Sequence, residues 1–211
     1  FGTTGTLDDM QTHQLVLEGL FGRVKRVTTT KELIDKKQLA SFEIKAITLK
    51  YPEEQCKQIV RKKYQEEVDF LVGNNKRNAF IRNLAVSLEG NTLVLFQYVE
   101  KHGNLLHEII KDKAGSSRKV FYVYGGTEVE LRENVRAIVE SEKDAIIVAS
   151  YGVYSTGVNI KNLHNIIFTH PGKSKVRVLQ SIGRGLRTSE GKSQATLYDI
   201  VDDLSYKNQR N

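Results

Sequence analysis

The 211-residue chain is 39% hydrophobic and 27% charged, which suits a water-soluble globular fold and excludes extensive disorder. Lys plus Arg number 32 against 25 Asp plus Glu, so the net charge of +7 favours an anionic partner such as nucleic acid or nucleotide phosphate. Two prolines exclude collagen-like and proline-rich readings, and one cysteine excludes a disulfide framework or a cysteine-rich zinc site.

In chain order, 8–20 predicts a short helix with an acidic start, closed by Gly22. Arg23 to Thr28 alternates and predicts a strand, and Lys31 to Leu39 a short helix or crossing segment. Phe42 to Leu49 alternates with period two, as a half-exposed edge strand does, and Pro52 stops it. Helical spacing runs from Glu53 to Val72 and from Asn75 to Leu88, with Gly73 and Asn74 as the break. Cys56 reads as an ordinary helical residue in a reducing compartment, the cytoplasm.

From there short apolar runs alternate with helices. The runs are Thr92 to Phe96, Val120 to Tyr124, Ala145 to Ala149, Asn165 to Thr169 and Ala195 to Ile200. The helical stretches are Asn104 to Ile110, Glu128 to Glu142 and Val176 to Arg187. Continuous β-branched runs between helices predict an α/β fold, a parallel sheet covered on both faces. No internal repeat and no low-complexity segment interrupts the pattern, and no apolar run approaches the ~20 residues of a membrane helix. No signal peptide is visible. The first residues look like the end of a strand and carry no initiator Met, so the chain is expected to be part of a longer protein.

Open parallel sheets place function in the loops at the carboxyl ends of their strands. Four such places stand out: Gln97 and Tyr98, Gly125 and Gly126, Tyr151 to Ile160, and the approach to Gln180. The most informative string holds Gln180, Gly183, Arg184 and Arg187. Arginines three apart share a helix face, and Gln180 lies one turn earlier on the same side. Paired guanidinium forks beside glycines are what a transferring γ-phosphate needs from a second domain. Between Lys173 and Lys192 six basic residues face one acid, Glu190, which by composition alone is a solvated basic helix.

That spacing resembles motif VI of superfamily-two helicases, and other motifs follow in family order. Gly2 to Leu7 resembles motif III, Thr92 to Tyr98 motif IV, Val123 to Gly126 the glycine-rich block after it, and Ala149 to Ile160 motif V. The segment from Lys31 to Ile44 is similar to the linker of branched-DNA translocases. The resemblance covers essentially the whole chain. It implies a RecA-like parallel sheet with helices on both faces, forming the second motor domain over 32–211. Residues 1–31 would be the trailing segment of the first motor domain plus linker. It also implies ATP with Mg²⁺, and DNA, branched or at single-strand/duplex junctions, as partner beside the upstream motor domain.

The resemblance assigns Arg184 and Arg187 as arginine fingers, and Gln180, Gly157 and Asn159 as nucleotide-side residues. Many relatives carry Asp where Asn159 stands. It places Gln97, Gly125, Gly126, Thr127 and Thr156 near the nucleic-acid backbone. Thr127 with Glu130 also reads as a capping box opening a helix, whose free N–H groups would suit phosphate.

No G-x-x-x-x-G-K-[ST] occurs. The two Gly-Lys-Ser strings at 172–174 and 191–193 have Ile167 and Leu186 where a P-loop needs its earlier glycine. No acidic metal-binding box is visible either. The P-loop and the Mg²⁺-holding acid are therefore expected upstream, leaving this chain inactive alone.

The five histidines, 13, 102, 107, 164 and 170, lack metal spacing and read as surface or packing residues. Tyr98, Tyr122, Tyr124 and Tyr154 could stack on bases, although one of Tyr122 and Tyr124 belongs to the core. The clusters Arg61 to Lys63 and Asn74 to Arg77 read as solvated helix faces more readily than as DNA contacts. A non-catalytic nucleic-acid-binding module and an RNA helicase are the competing classes. A binding module has no use for the two arginines, and substrate tests separate DNA from RNA.

Overall fold

The computed structural model describes residues 11–23, 25, 32, 35, 41–156, 162–170 and 194–207. Its elements are α1 (Gln11–Phe21), β1 (Ser41–Lys50), α2 (Glu53–Ile59), α3 (Tyr64–Gly73), α4 (Asn75–Ser87), β2 (Thr92–Phe96), a π-helical turn (Val99–Gly103) and α5 (Asn104–Ala114). They continue with β3 (Val120–Val123), α6 (Val129–Ser141), β4 (Ile146–Ser150), α7 (Tyr151–Thr156), β5 (Asn165–Phe168) and β6 (Gln194–Asp203). The strand expected at Arg23 to Thr28, most of the segment Lys31 to Leu39 and the helix at Val176 to Arg187 lie outside the described residues.

Among the described residues six strands form one sheet in the order β1-β6-β5-β2-β4-β3, with all their pairings parallel. β2 and β4 are buried along their whole length, which is why their sequences are continuous apolar runs. Pleating divides them between two cores. Leu93, Leu95, Ile147 and Ala149 pack with Val135 and Val139 of α6. Val94, Phe96, Ile146 and Val148 pack on the other face with Ile81 and Ala85 of α4 and Leu106 and Ile110 of α5. Helices thus cover both faces, as expected of a RecA-like domain. Among the described connections, α4 and α5 lead outward over one face and α6 leads back over the other, as right-handed crossovers require.

β1 lies at the edge, paired along all ten residues with β6, and is half-exposed as its alternation predicts. Its apolar phase switches midway. Phe42 packs on the α6 side, whereas Ile47 and Leu49 pack on the α4–α5 side. Gly22 follows α1 with φ +80°, a left-handed stop suited to glycine.

Three expectations need correction. The helical stretch Glu53 to Val72 is two helices, broken at 60–63. The Glu66 carboxylate turns back to accept from the Lys63 backbone N–H at 3.1 Å, starting a new helix with acids in its first turn. Next, Arg77 is not on a solvated face. Its side chain is fully buried, and Nε and Nη2 each donate to the Asp202 carboxylate at 2.8 Å. Tyr51 donates its hydroxyl to the same carboxylate at 2.5 Å. Burial, then that bond, raises the Tyr51 pKa strongly. Paired and bonded in this way, a buried charge is tolerated where an isolated one is not.

The third correction concerns Thr127. It forms no capping box with Glu130. Its hydroxyl accepts from the Tyr124 N–H at 3.0 Å, and its own N–H donates to the Tyr124 carbonyl at 2.9 Å. Glu128 precedes α6 and makes no side-chain cap.

Candidate nucleic-acid interface

A parallel sheet points all its carboxyl ends the same way. Here the ends of β2, β4 and β3, three adjacent strands, carry Gln97, the start of α7 and the turn 124–127 respectively. Of the residues singled out in the sequence, Gln97, Gly125, Gly126 and Thr127 therefore share one edge. Thr156 ends α7, six residues past β4. Gly157, Asn159, Gln180, Arg184 and Arg187 lie outside the described residues.

The Gly125–Gly126 turn is shaped by its neighbours. A Cβ on Gly126 would stand 2.8 Å from Cε2 of Tyr124, so that ring occupies the space a side chain would need. A Cβ on Gly125 would meet nothing within 4 Å, so the backbone there is open to approach. The reciprocal Tyr124–Thr127 bonds close the turn just ahead of the 13-residue α6. A helix N-terminus without a side-chain cap keeps N–H groups for an anion.

Aromatic rings support this edge from below. Tyr122 stacks on His107, with centroids 4.8 Å apart and planes 7° apart, and on Phe96 at 5.7 Å. Its hydroxyl donates to Asn104 Oδ1 at 2.7 Å. Tyr122 and Tyr124 both pack, partly buried, against the same core, and Tyr124 also lies over the turn. Burial, with Lys111 adding to it, lowers the His107 pKa.

Behind the β2 loop lies His102, fully buried, with Nε2 3.1 Å from Asn78 Oδ1. Asn78 donates its own amide to the Val72 carbonyl, so its oxygen is the acceptor and His102 carries its proton on Nε2. Burial, then the positive field of Arg77 and His170, lowers its pKa to about 3. It is a neutral packing residue, as its lack of metal spacing suggested. His164 likewise packs, accepting at Nδ1 from the Asn91 N–H. Sequence reasoning missed Thr169 and His170, at the end of β5. Thr169 bonds the Leu95 carbonyl through both N–H (3.1 Å) and hydroxyl (2.8 Å), and His170 meets Tyr98 edge to face. Their only sequence signal is two polar residues closing an apolar run.

Among the described residues no group of three or more His, Cys, Asp or Glu side chains could hold a metal. No helix among them is long and apolar enough to cross a membrane. Arg61, Lys62 and Lys63 are exposed, Lys62 pairing with Glu66 at 3.1 Å.

Comparison with known proteins agrees with this architecture. Residues 75–189 match the helicase conserved C-terminal domain. The chain is 39% identical over 210 residues to the ATP-dependent DNA helicase uvsW of Enterobacteria phage T4, covering 98% of this chain and 41% of that protein. The crystal structure of T4 UvsW superposes with a TM-score of 0.70 at 37% identity, covering 82% of this chain and 37% of that one. The DNA-bound Type ISP restriction-modification enzyme LlaBIII shares the fold at 16% identity and a TM-score of 0.55, over 88% of this chain and 14% of its own. A parallel sheet wound on both faces, with loops gathered at its carboxyl edge and a family match over more than half its length, makes this chain a member of the helicase conserved C-terminal domain family.

Proposed function

We propose that this chain is the second motor domain of an ATP-dependent DNA helicase or translocase acting on branched recombination and replication intermediates. The observation that carries the reading is the gathering of Gln97 and Gly125 to Thr127 at the ends of β2 and β3, flanking β4, on one edge of the sheet. An open glycine turn, an uncapped helix N-terminus and a net charge of +7 suit a sugar-phosphate backbone. Such contacts position a strand without reading its sequence.

In this reading Thr156 adds to the nucleic-acid surface, and Gly157, Asn159 and Gln180 face the nucleotide. Arg184 and Arg187 stabilise charge on the γ-phosphate as it transfers. ATP and its Mg²⁺ are held mainly by an upstream motor domain, which occupies the host cytoplasm with this one if the gene is phage-borne. Residues 1–31 belong to that upstream domain and the linker, and 32–211 form the second motor domain. The side chains Val16, Leu17, Leu20 and Phe21, all exposed on one side of α1, suit a helix covered by other parts of the protein. The likeness to uvsW, which the chain matches over 41% of its length, supports the choice of DNA.

Two measurements test this. Residues 1–211 alone should bind DNA weakly, with affinity falling steeply as salt rises, and should not hydrolyse ATP. The complete protein should hydrolyse ATP faster with branched DNA than with RNA. A salt-independent affinity, or turnover by residues 1–211 alone, overturns the reading.

A further inference from the structure

We propose that Tyr98 and His170 form a positioning pair that couples nucleic acid at the β2 loop to the segment carrying Gln180, Arg184 and Arg187. The inference rests on the proposed function and adds two residues that the motifs leave without a role.

The geometry is a chain of short contacts across two neighbouring strands. β2 and β5 pair directly, Leu95 opposite Phe168. At their carboxyl ends the buried Thr169 spends both N–H and hydroxyl on the Leu95 carbonyl, so the two ends move together. Two residues past the end of each strand, the rings of Tyr98 and His170 meet edge to face, with centroids 5.3 Å apart and planes 87° apart. Gln97 immediately precedes Tyr98, and residues 171–193, which carry the two arginines, immediately follow His170. The ring contact is therefore a link, outside the backbone ladder, between a strand-side loop and a nucleotide-side segment.

Tyr98 is held firmly from the other direction. Its carbonyl accepts from the N–H groups of His102 (3.2 Å) and Gly103 (2.8 Å), the second closing the π-helical turn. His102 is anchored inside the protein by Asn78. Gly103 lies against the Phe96 ring, where a Cβ would come within 2.4 Å of Cε2, so the turn is pressed onto the end of β2. Single π-helical turns are frequent at functional sites. A displacement of Tyr98 by a bound strand passes to His170, because the turn behind Tyr98 resists moving.

The test uses the complete motor protein. ATP turnover is measured with and without saturating DNA, alongside DNA affinity and thermal midpoint. His170→Ala should lower DNA stimulation roughly tenfold or more, leaving unstimulated turnover and DNA affinity within about twofold. His170→Phe, which keeps a ring for the edge contact, should restore stimulation. Tyr98→Leu should reproduce the loss, and the double variant should be no worse than either single one, as expected of residues acting through each other. The inference is overturned if His170→Ala keeps full stimulation. It is overturned equally if stimulated and unstimulated turnover fall in parallel with the thermal midpoint, which marks a packing role. A wild-type protein without any DNA stimulation overturns the proposed function and this inference with it, whereas stimulated wild type with indifferent variants overturns this inference alone.

Discussion

At the amino-terminal edge of the sheet, one asparagine and one arginine tie together the ends of α4 and α6 and the segments that enter β2, β4 and β5. Asn91 is fully buried, donates to the carbonyls of Val139, Glu142 and Asn162, and accepts from the Ala145 N–H. Arg118 reaches the carbonyls of Ala85, Val86 and Leu88 at the end of α4, and those of Gly90 and Asp144. A cation on the last carbonyls of a helix answers both their unpaired acceptors and the helix dipole. At the carboxyl edge the same strands end in an open glycine turn, rings and a buried neutral histidine. One edge has its polar groups consumed by the protein. At the other, cohesion comes from ring packing and a few bonds such as Thr169 to Leu95, and its open turn and uncapped helix start are what the proposed function would use for a phosphate. In the proposed function, stability and binding are thus separated along the strand axis of one sheet.

The sharpest way to break this comparison is at the nucleotide side. Arg187→Ala in the complete protein should lower kcat by ~10³ to 10⁵, about 4–7 kcal/mol, while DNA binding stays largely intact. Lys there should rescue poorly, because an ammonium lacks the planar fork. Arg184→Ala should behave similarly. Steady-state turnover at saturating DNA, with parallel binding titrations, checks it. Loss of DNA binding as the main defect would make this segment part of the strand-binding surface.

Next in size is the pH response of His102. Its folded pKa of about 3 lies below the ordinary value of 6.5. The neutral form's contribution is therefore complete above pH 6.5 and is lost as pH falls toward 3. The loss is about 1.4 kcal/mol per pH unit, reaching roughly 5 kcal/mol at the acid end. His102→Gln keeps a donor for Asn78 and should flatten this limb in urea midpoints between pH 7 and 4. An unchanged acid limb would mean that the cost of acid lies elsewhere.

At the amino-terminal edge, Asn91→Leu should cost about 3 kcal/mol by leaving the Ala145 N–H and several carbonyls unpaired. For a domain of this size that lowers the thermal midpoint by roughly 6–12 °C, with DNA-stimulated turnover of the folded protein unchanged. A catalytic defect at full stability would erase the division between the edges. The smallest effect belongs to Gly126→Ala. The Tyr124 ring must move to admit the Cβ, so stability should fall only about 1 kcal/mol. DNA affinity should fall with it, read by anisotropy against the wild type, because the turn is reshaped where the backbone approaches.

The sequence by itself determined most of the described elements, the break at 60–63 excepted. Runs such as Thr92 to Phe96 carry their buried state in every residue, and the breaks at Gly22, Pro52 and Gly73–Asn74 act through local backbone preferences. Asn74 indeed accepts from the Arg77 N–H, a bond spanning three residues that local chemistry can foretell. The candidate positions 97 and 125–127 were legible for the same reason, since apolar runs followed by turn residues mark strand ends. Tertiary structure alone decided which polar residues went inside. Arg77 and Asp202 stand 125 positions apart, and nothing in the run Asn74 to Arg77 distinguishes a solvated cation from one with a buried carboxylate waiting. Thr127 looked like a helix cap because its spacing to Glu130 fits one, yet the closed turn offered its hydroxyl the Tyr124 N–H instead. The Tyr98–His170 contact exists only because β5 was placed beside β2. Periodicity reports how one residue meets its own segment. The partner that makes a charge tolerable, or a ring useful, comes from the strand order β1-β6-β5-β2-β4-β3, which is set by how the whole chain buries its two apolar faces.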